Sequence, residues 1–116
     1  MAISFESIGQ KLVSFKANSA LKVGDPCIPC ANGMVAPAQE NGEFCGIVSS
    51  IRGGVAGVII GGCVTASYTG NDAPDVGYCY LTGDGKGGVA LATSGGRYLV
   101  VSVDKTNKTV TFFLNH

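Results

Sequence analysis

Apolar residues in this chain recur at every second position in short runs, and glycine, asparagine or proline closes almost every run. Lys11–Ala17 (KLVSFKA) alternates as a strand does, with Val13, Phe15 and Ala17 on one face and Ser14 and Lys16 directed to solvent. Val23-Gly24-Asp25-Pro26 opens a second strand that runs through Cys30. Asn32-Gly33 then predicts a type I′ hairpin, because both residues tolerate positive φ. Met34–Pro37 returns, and Pro37 marks an edge or an end. After the polar loop Gln39–Glu43 comes the stretch around which the rest is arranged, Phe44–Tyr68. It is dominated by Val, Ile and Thr and carries one charge, Arg52. It reads as two or three consecutive strands bent at Arg52-Gly53-Gly54 and at Gly61-Gly62.

Beyond Tyr68, TGNDAPDVG is a loop. Gly77–Leu81 and Val89–Ala92 are strands joined by GDGKGG, and Ser94-Gly95-Gly96 turns the chain again. Arg97–Asp104 (RYLVVSVD) is the clearest buried strand outside the centre, and Lys105–Lys108 is a charged turn before the closing strand Thr109–Leu114. No segment holds a 3.6-residue period over ten positions, so no long helix is expected. Met1–Gln10 reads as an arm of mixed character, with Ile3, Phe5 and Ile8 as its apolar anchors.

The two halves echo each other. Val23-Gly24…Cys27 matches Val76-Gly77…Cys79 with a one-residue slip, Gly33–Ala38 matches Gly87–Ala92, and Phe44…Ile47 matches Tyr98…Val101. The last two matches share a spacing of about 54 residues. These echoes point to two related strand–hairpin–strand units flanking Arg52–Tyr68. The expected fold is all-β: a small barrel or sandwich of roughly nine to ten short strands with an internal pseudo-repeat. It comprises an arm at 1–10 and a single β domain at 11–116.

Composition narrows the role. Charged residues make up 14% of the 116 positions, against ~25% in ordinary soluble domains. A domain so poor in charge is expected to cover part of its surface with another subunit or a partner. No run approaches the ~20 uninterrupted apolar residues of a membrane-spanning helix. Eight basic and eight acidic residues balance without a basic stripe, so the counterion-release term that drives nucleic-acid binding is missing. The first residues lack the basic and apolar regions of a secretory signal. An odd count of five cysteines then reads most simply as reduced thiols in an intracellular compartment.

Candidate chemistry is sparse. Cys27-Ile28-Pro29-Cys30 is a C-x-x-C, but hairpin sequence follows it where a redox pair needs a helix. In an extended strand its two thiols face opposite ways, and no second ligand pair completes a zinc site. Gly83–Gly88 (GDGKGG) satisfies G-x-G-x-x-G literally, yet a strand follows where a phosphate loop needs a helix N-terminus. Asp72, Asp75 and Asp84 lack the spacing of an EF-hand. The one histidine is His116, so no internal imidazole serves as a general base. Tyr68, Tyr78, Tyr80 and Tyr98 are stacking candidates if a barrel mouth holds a small ligand or glycan. The expectation is a non-enzyme without catalytic residues, cofactor or metal.

The succession Lys22-Val23-Gly24-Asp25, Asn32-Gly33-Met34-Val35-Ala36-Pro37, Phe44-Cys45-Gly46-Ile47-Val48, Gly61…Val64-Thr65 and Ala73-Pro74…Val76-Gly77 resembles the small capsid decoration (cement, head-stabilising) proteins of tailed phages and prophages. The resemblance covers most of the chain from Lys11 to Leu114. It implies a β-barrel or β-tulip, often trimeric, that binds the outside of an assembled head and reinforces capsomer contacts. The implied partner is the major capsid protein and the implied location the virion head surface, after synthesis in bacterial cytoplasm. The family's N-terminal arm maps onto Met1–Gln10, where Ile3, Phe5 and Ile8 become capsid-contact candidates. A ligand-binding barrel and a tail or fibre subunit are the competing expectations.

Overall fold

A computed structural model of the chain describes residues 10–70 and 72–114. Ile3, Phe5 and Ile8 lie outside the described residues, as does His116. Nine strands follow one another: β1 (Lys11–Ala17), β2 (Pro26–Ala31), β3 (Met34–Pro37), β4 (Gly46–Arg52), β5 (Val55–Thr69), β6 (Gly77–Gly83), β7 (Val89–Ala92), β8 (Gly96–Asp104) and β9 (Thr109–Leu114). The described residues contain no helix.

The pairings close into two rings that share β5. The first half of β5 pairs with β4 on one side and β1 on the other, and β1-β3-β2-β4 completes a five-stranded ring. The second half of β5 pairs with β9 and β7, and β7-β6-β8-β9 completes another. In each ring one short parallel seam does the closing: Lys16 and Ala17 against Met34 and Val35, then Tyr68 and Thr69 against Val89 and Ala90. The chain is therefore a tandem pair of small barrels, and the last strand of the first runs straight on as the first strand of the second.

Register confirms the internal repeat in detail. The β4–β5 ladder slips between Val48 and Ser50, and the β8–β9 ladder slips at the equivalent place, between Val100 and Ser102. Cys27 lies opposite Gly46 as Cys79 lies opposite Tyr98. Val35 faces Ala17 as Val89 faces Tyr68, and both valines are fully buried. One expected match fails. Ile47 corresponds to Leu99, since they occupy the same rung against Ile59 and Phe113. Phe44 and Tyr98 are not counterparts; they stack on each other inside one core, ring centroids 5.1 Å apart.

Three further expectations are corrected. Gly61-Gly62 does not reverse the chain: β5 continues for 15 residues through it. Gly62 at φ +85° and a slip in the β1 ladder between Lys11 and Leu12 bend the strand from one barrel into the next. At Asn32-Gly33 only Gly33 has positive φ, so the turn is not type I′, and the β2 ladder absorbs Cys30 as a bulge. The type I′ signature, two successive positive φ values, occurs at Gly53 and Gly54 (+55° and +78°) between β4 and β5. Finally, β8 is half-buried. Only Tyr98 and Val100 are buried along it, and the alternation matches a sheet with one wet face.

Each barrel has its own core. Leu21, Cys27, Val35, Val48, Ala56 and Val58 fill the first. The second is larger, centred on Phe112, Leu81, Val100 and Val110, and takes in Ala38, Phe44 and Ile47 from the first barrel. Phe44 reaches across as a plug: it stacks on Tyr98 and meets Phe112 edge-on at 6.0 Å. The Tyr98 hydroxyl donates to the Phe44 carbonyl at 3.2 Å. Burial, then the nearby Glu43 and Cys45 charges, push the Tyr98 phenol up to about 12.

Two outcomes follow. A Cβ on Gly46 would collide with the Ile59 backbone and with Val58 Cγ1 at 2.8 Å, whereas one on Gly53 meets open space but a positive φ. Denaturant titration should therefore give Gly46→Ala a loss of about 3 kcal/mol and Gly53→Ala a loss of about 1 kcal/mol. Because the folded state favours neutral Tyr98, its contribution is full below the unfolded value of ~10 and fades as pH rises towards 12. Tyr98→Phe should flatten that part of the stability profile and remove the tyrosinate absorbance appearing near 12.

Candidate functional site

The structure separates the two thiols of the C-x-x-C and brings together a pair that sequence spacing conceals. Cys27 is buried in the first core, while Cys30 is exposed and its Sγ donates to the Met34 carbonyl at 3.7 Å. They do face opposite ways. Cys45, 18 positions downstream, enters β4 beside Cys27: its amide donates to the Cys27 carbonyl at 2.8 Å, and both side chains pack on the first core. The two thiols are within hydrogen-bonding reach. The Cys27 hydrogen bond, helped by the Cys45 backbone amide and opposed by burial, lowers the Cys45 thiol to about 7. Cys27 is pushed up, first by that same hydrogen bond, then by burial and by the Cys45 and Asp25 charges. The more accessible sulfur thus takes the charge and the enclosed one keeps its proton. Cys63 is buried, which raises its thiol, and Cys79 donates to the Asp75 carbonyl at 3.1 Å.

The glycine-rich segment Gly83–Gly88 carries its own anion. Asp84 is 6% exposed and folds back so that Oδ1 accepts from the amides of Lys86 (2.6 Å) and Gly88 (2.9 Å). Those are the amides a phosphate would need, so the loop offers none of them to a ligand. It is also packed against the first barrel: Gly83 exchanges backbone hydrogen bonds with Asn41 and Gly42. Gly88 is obligatory, because a Cβ there would come within 2.6 Å of the Ser67 carbonyl and 2.8 Å of Asp84 Oδ2. Oδ2 is buried without a hydrogen-bond partner among the described residues.

The three aspartates weighed for calcium do not converge. Asp72 and Asp75 line one open cleft of about 540 Å³, with Tyr68, Lys105 and Lys108, and Asp84 is not among its walls. Among the described residues no three Cys, His, Asp or Glu side chains gather as a metal site. The tyrosines scatter as well. Tyr98 lies in the core, and Tyr68 is buried with the Lys108 Nζ 5.8 Å from its ring centre. Tyr78 and Tyr80 sit on the outer face of β6, and the Arg97 guanidinium lies 4.4 Å over Tyr78.

What the outer surface does offer is apolar area. Val23 (62% exposed) and Val76 (70% exposed) stand at equivalent points of the two barrels. Each precedes a positive-φ glycine: Gly24 bonds to Val48, and Gly77 pairs with the equivalent Val100. Leu12, Val13 and Val55 are exposed at the β1–β5 pairing, and Tyr78 and Tyr80 on β6. The alternation of β1 had placed Val13 inside; the structure leaves it exposed, since β1 packs on its core only through Phe15 and Ala17.

No known protein family matches the sequence. No curated protein matches it either.

Asp84→Ala would strip two loop amides of their acceptor, and unfolding measurements should show a loss of about 2–3 kcal/mol. Inorganic pyrophosphate should leave the melting temperature of the unaltered chain unchanged, because Asp84 already occupies the amides it would seek.

Proposed function

We propose that this chain is a structural virion protein: a decoration, or cement, protein that binds the outer surface of a phage head and stabilises contacts between capsomers. One observation carries the reading. The two barrels repeat an exposed apolar residue at equivalent positions, Val23 and Val76, on a surface where few charges compete. Duplicated apolar contact points on a stiff double barrel suit a protein that bridges repeating subunits, where affinity comes from buried area. The partner is the major capsid protein, the bound form is a homotrimer, and neither nucleic acid nor a membrane is contacted. Ile3, Phe5 and Ile8 of the arm at 1–10 add an extended segment to the edge of a capsid sheet.

The alternative of a small-ligand or glycan module draws on the cleft beside Tyr68. It is the weaker reading. Lys108 donates to the Gly70 carbonyl at 3.2 Å and lies over the Tyr68 ring, the aromatic surface a sugar would stack on.

Co-sedimentation decides between them. The purified chain should pellet with expanded heads assembled from a tailed-phage major capsid protein and should ignore unassembled capsid subunits. Deleting residues 1–9 should abolish pelleting without lowering the melting temperature, and Val23→Asp with Val76→Asp should weaken binding ~10-fold or more. Equal affinity for free subunits, or no affinity for heads, would end the proposal.

A further inference from the structure

On the side of β4 and β8, Cys27 lies opposite Gly46 as Cys79 lies opposite Tyr98, and the residue before each partner is Cys45 in the first barrel and Arg97 in the second. In the first barrel the two cysteines are joined by a 2.8 Å backbone hydrogen bond, their side chains turn to the same core, and one of them is partly open to solvent. The Cys45 amide bonds the Cys27 carbonyl while the ladder registers Cys27 with the next residue, Gly46, so the two backbones touch at this point; a disulfide spans Cα separations of roughly 4.4–6.8 Å. Cys30 faces away on β2, Cys79 is turned to Asp75, and Cys63 is enclosed at the bend of β5.

We propose that Cys27 and Cys45 are a reversible dithiol–disulfide site whose oxidising co-substrate is a small-molecule disulfide of the glutathione class. Cys45, as thiolate, attacks one sulfur of the co-substrate; the S–S bond breaks, a Cys45 mixed disulfide forms, and one thiolate leaves and takes up a proton. The Cys27 thiol, now donating to the Gly46 carbonyl at 3.6 Å, gives up its proton and attacks the Cys45 sulfur. The second small thiolate leaves and collects that proton. Two protein thiols are oxidised to one disulfide, and one small disulfide is reduced to two thiols. The assignment of roles follows accessibility: Cys45 is partly exposed and Cys27 is buried. The new bond ties β2 to the residue directly after Phe44, the plug of the second core, so the redox state bears on the joint between the barrels.

The test uses the full chain, reduced and then incubated anaerobically with excess oxidised glutathione, acid-quenched and mapped by mass spectrometry without reduction. The expected product is a peptide pair linked through Cys27 and Cys45, with a melting temperature raised by ~5 °C or more. Cys27→Ser should trap glutathione on Cys45. Cys27→Ala, which keeps the core apolar, gives the same readout should the serine variant fail to fold. A Cys45 that stays unmodified, or that links to any cysteine other than Cys27, would overturn the assignment.

Discussion

The whole molecule depends on one strand serving two barrels. Every residue of β5 must satisfy the first ring or the second, and the change-over happens within the few residues around Gly61-Gly62. Before that point the neighbours are β1 and β4; after it they are β9 and β7. Val55–Ile59 is paired on both edges, by β1 and by β4, whereas Gly62–Ser67 is paired by β9 and Tyr68-Thr69 by β7. The shared strand also couples the two cores mechanically. Neither ring closes without its share of β5, so the barrels are not independent domains joined by a linker.

A shared strand alone would leave the barrels free to splay at the bend. Two contacts prevent this. Phe44 leaves the first unit to sit between Tyr98 and Phe112, replacing solvent with an aromatic cluster in which stacked and edge-on geometries both occur. On the other side, the loop before β4 meets the turn after β6, where Gly83, Gly85 and Gly88 all stand too close to neighbouring atoms for a side chain. The GDGKGG segment that resembles a phosphate loop is thus a docking joint, with the Asp84 carboxylate in the place an anion would take.

Much of this was legible in the residues. The residue pattern marked β1, β3, β7 and β9 to the residue, because each is a short strand bounded by turn formers. The duplication was visible as well, since matching glycines recur where both units need positive φ, at Gly24 and Gly77. Other features were hidden for physical reasons. Gly-Gly reads as a turn whether it reverses a chain, as at Gly53-Gly54, or only bends one, as at Gly61-Gly62. Composition does not distinguish the two; pairing partners do. The Cys27–Cys45 contact depends on the β2–β4 register, a property of tertiary pairing that no local spacing encodes.

Low charge acquires a different meaning once the duplication is known. Two copies of one unit, fused through a strand, present the same outward features twice at a fixed separation and orientation. Val23 and Val76 remain exposed in both copies although their neighbours Gly24 and Gly77 are tightly constrained by backbone bonds. The backbone at these points is rigid and the side chain is bare, so ordering it against a partner costs little conformational entropy. A valine on a stiff corner is a modest contact by itself. On the proposed reading, two of them on one body would grip a repeating surface bidentately, because the second contact would form at the effective concentration set by the first. That gain needs no cavity and no titrating group, and it is lost if the joint at β5 and Phe44 loosens. The aromatic plug and the shared strand therefore set the geometry of the outer surface as much as the stability of the interior.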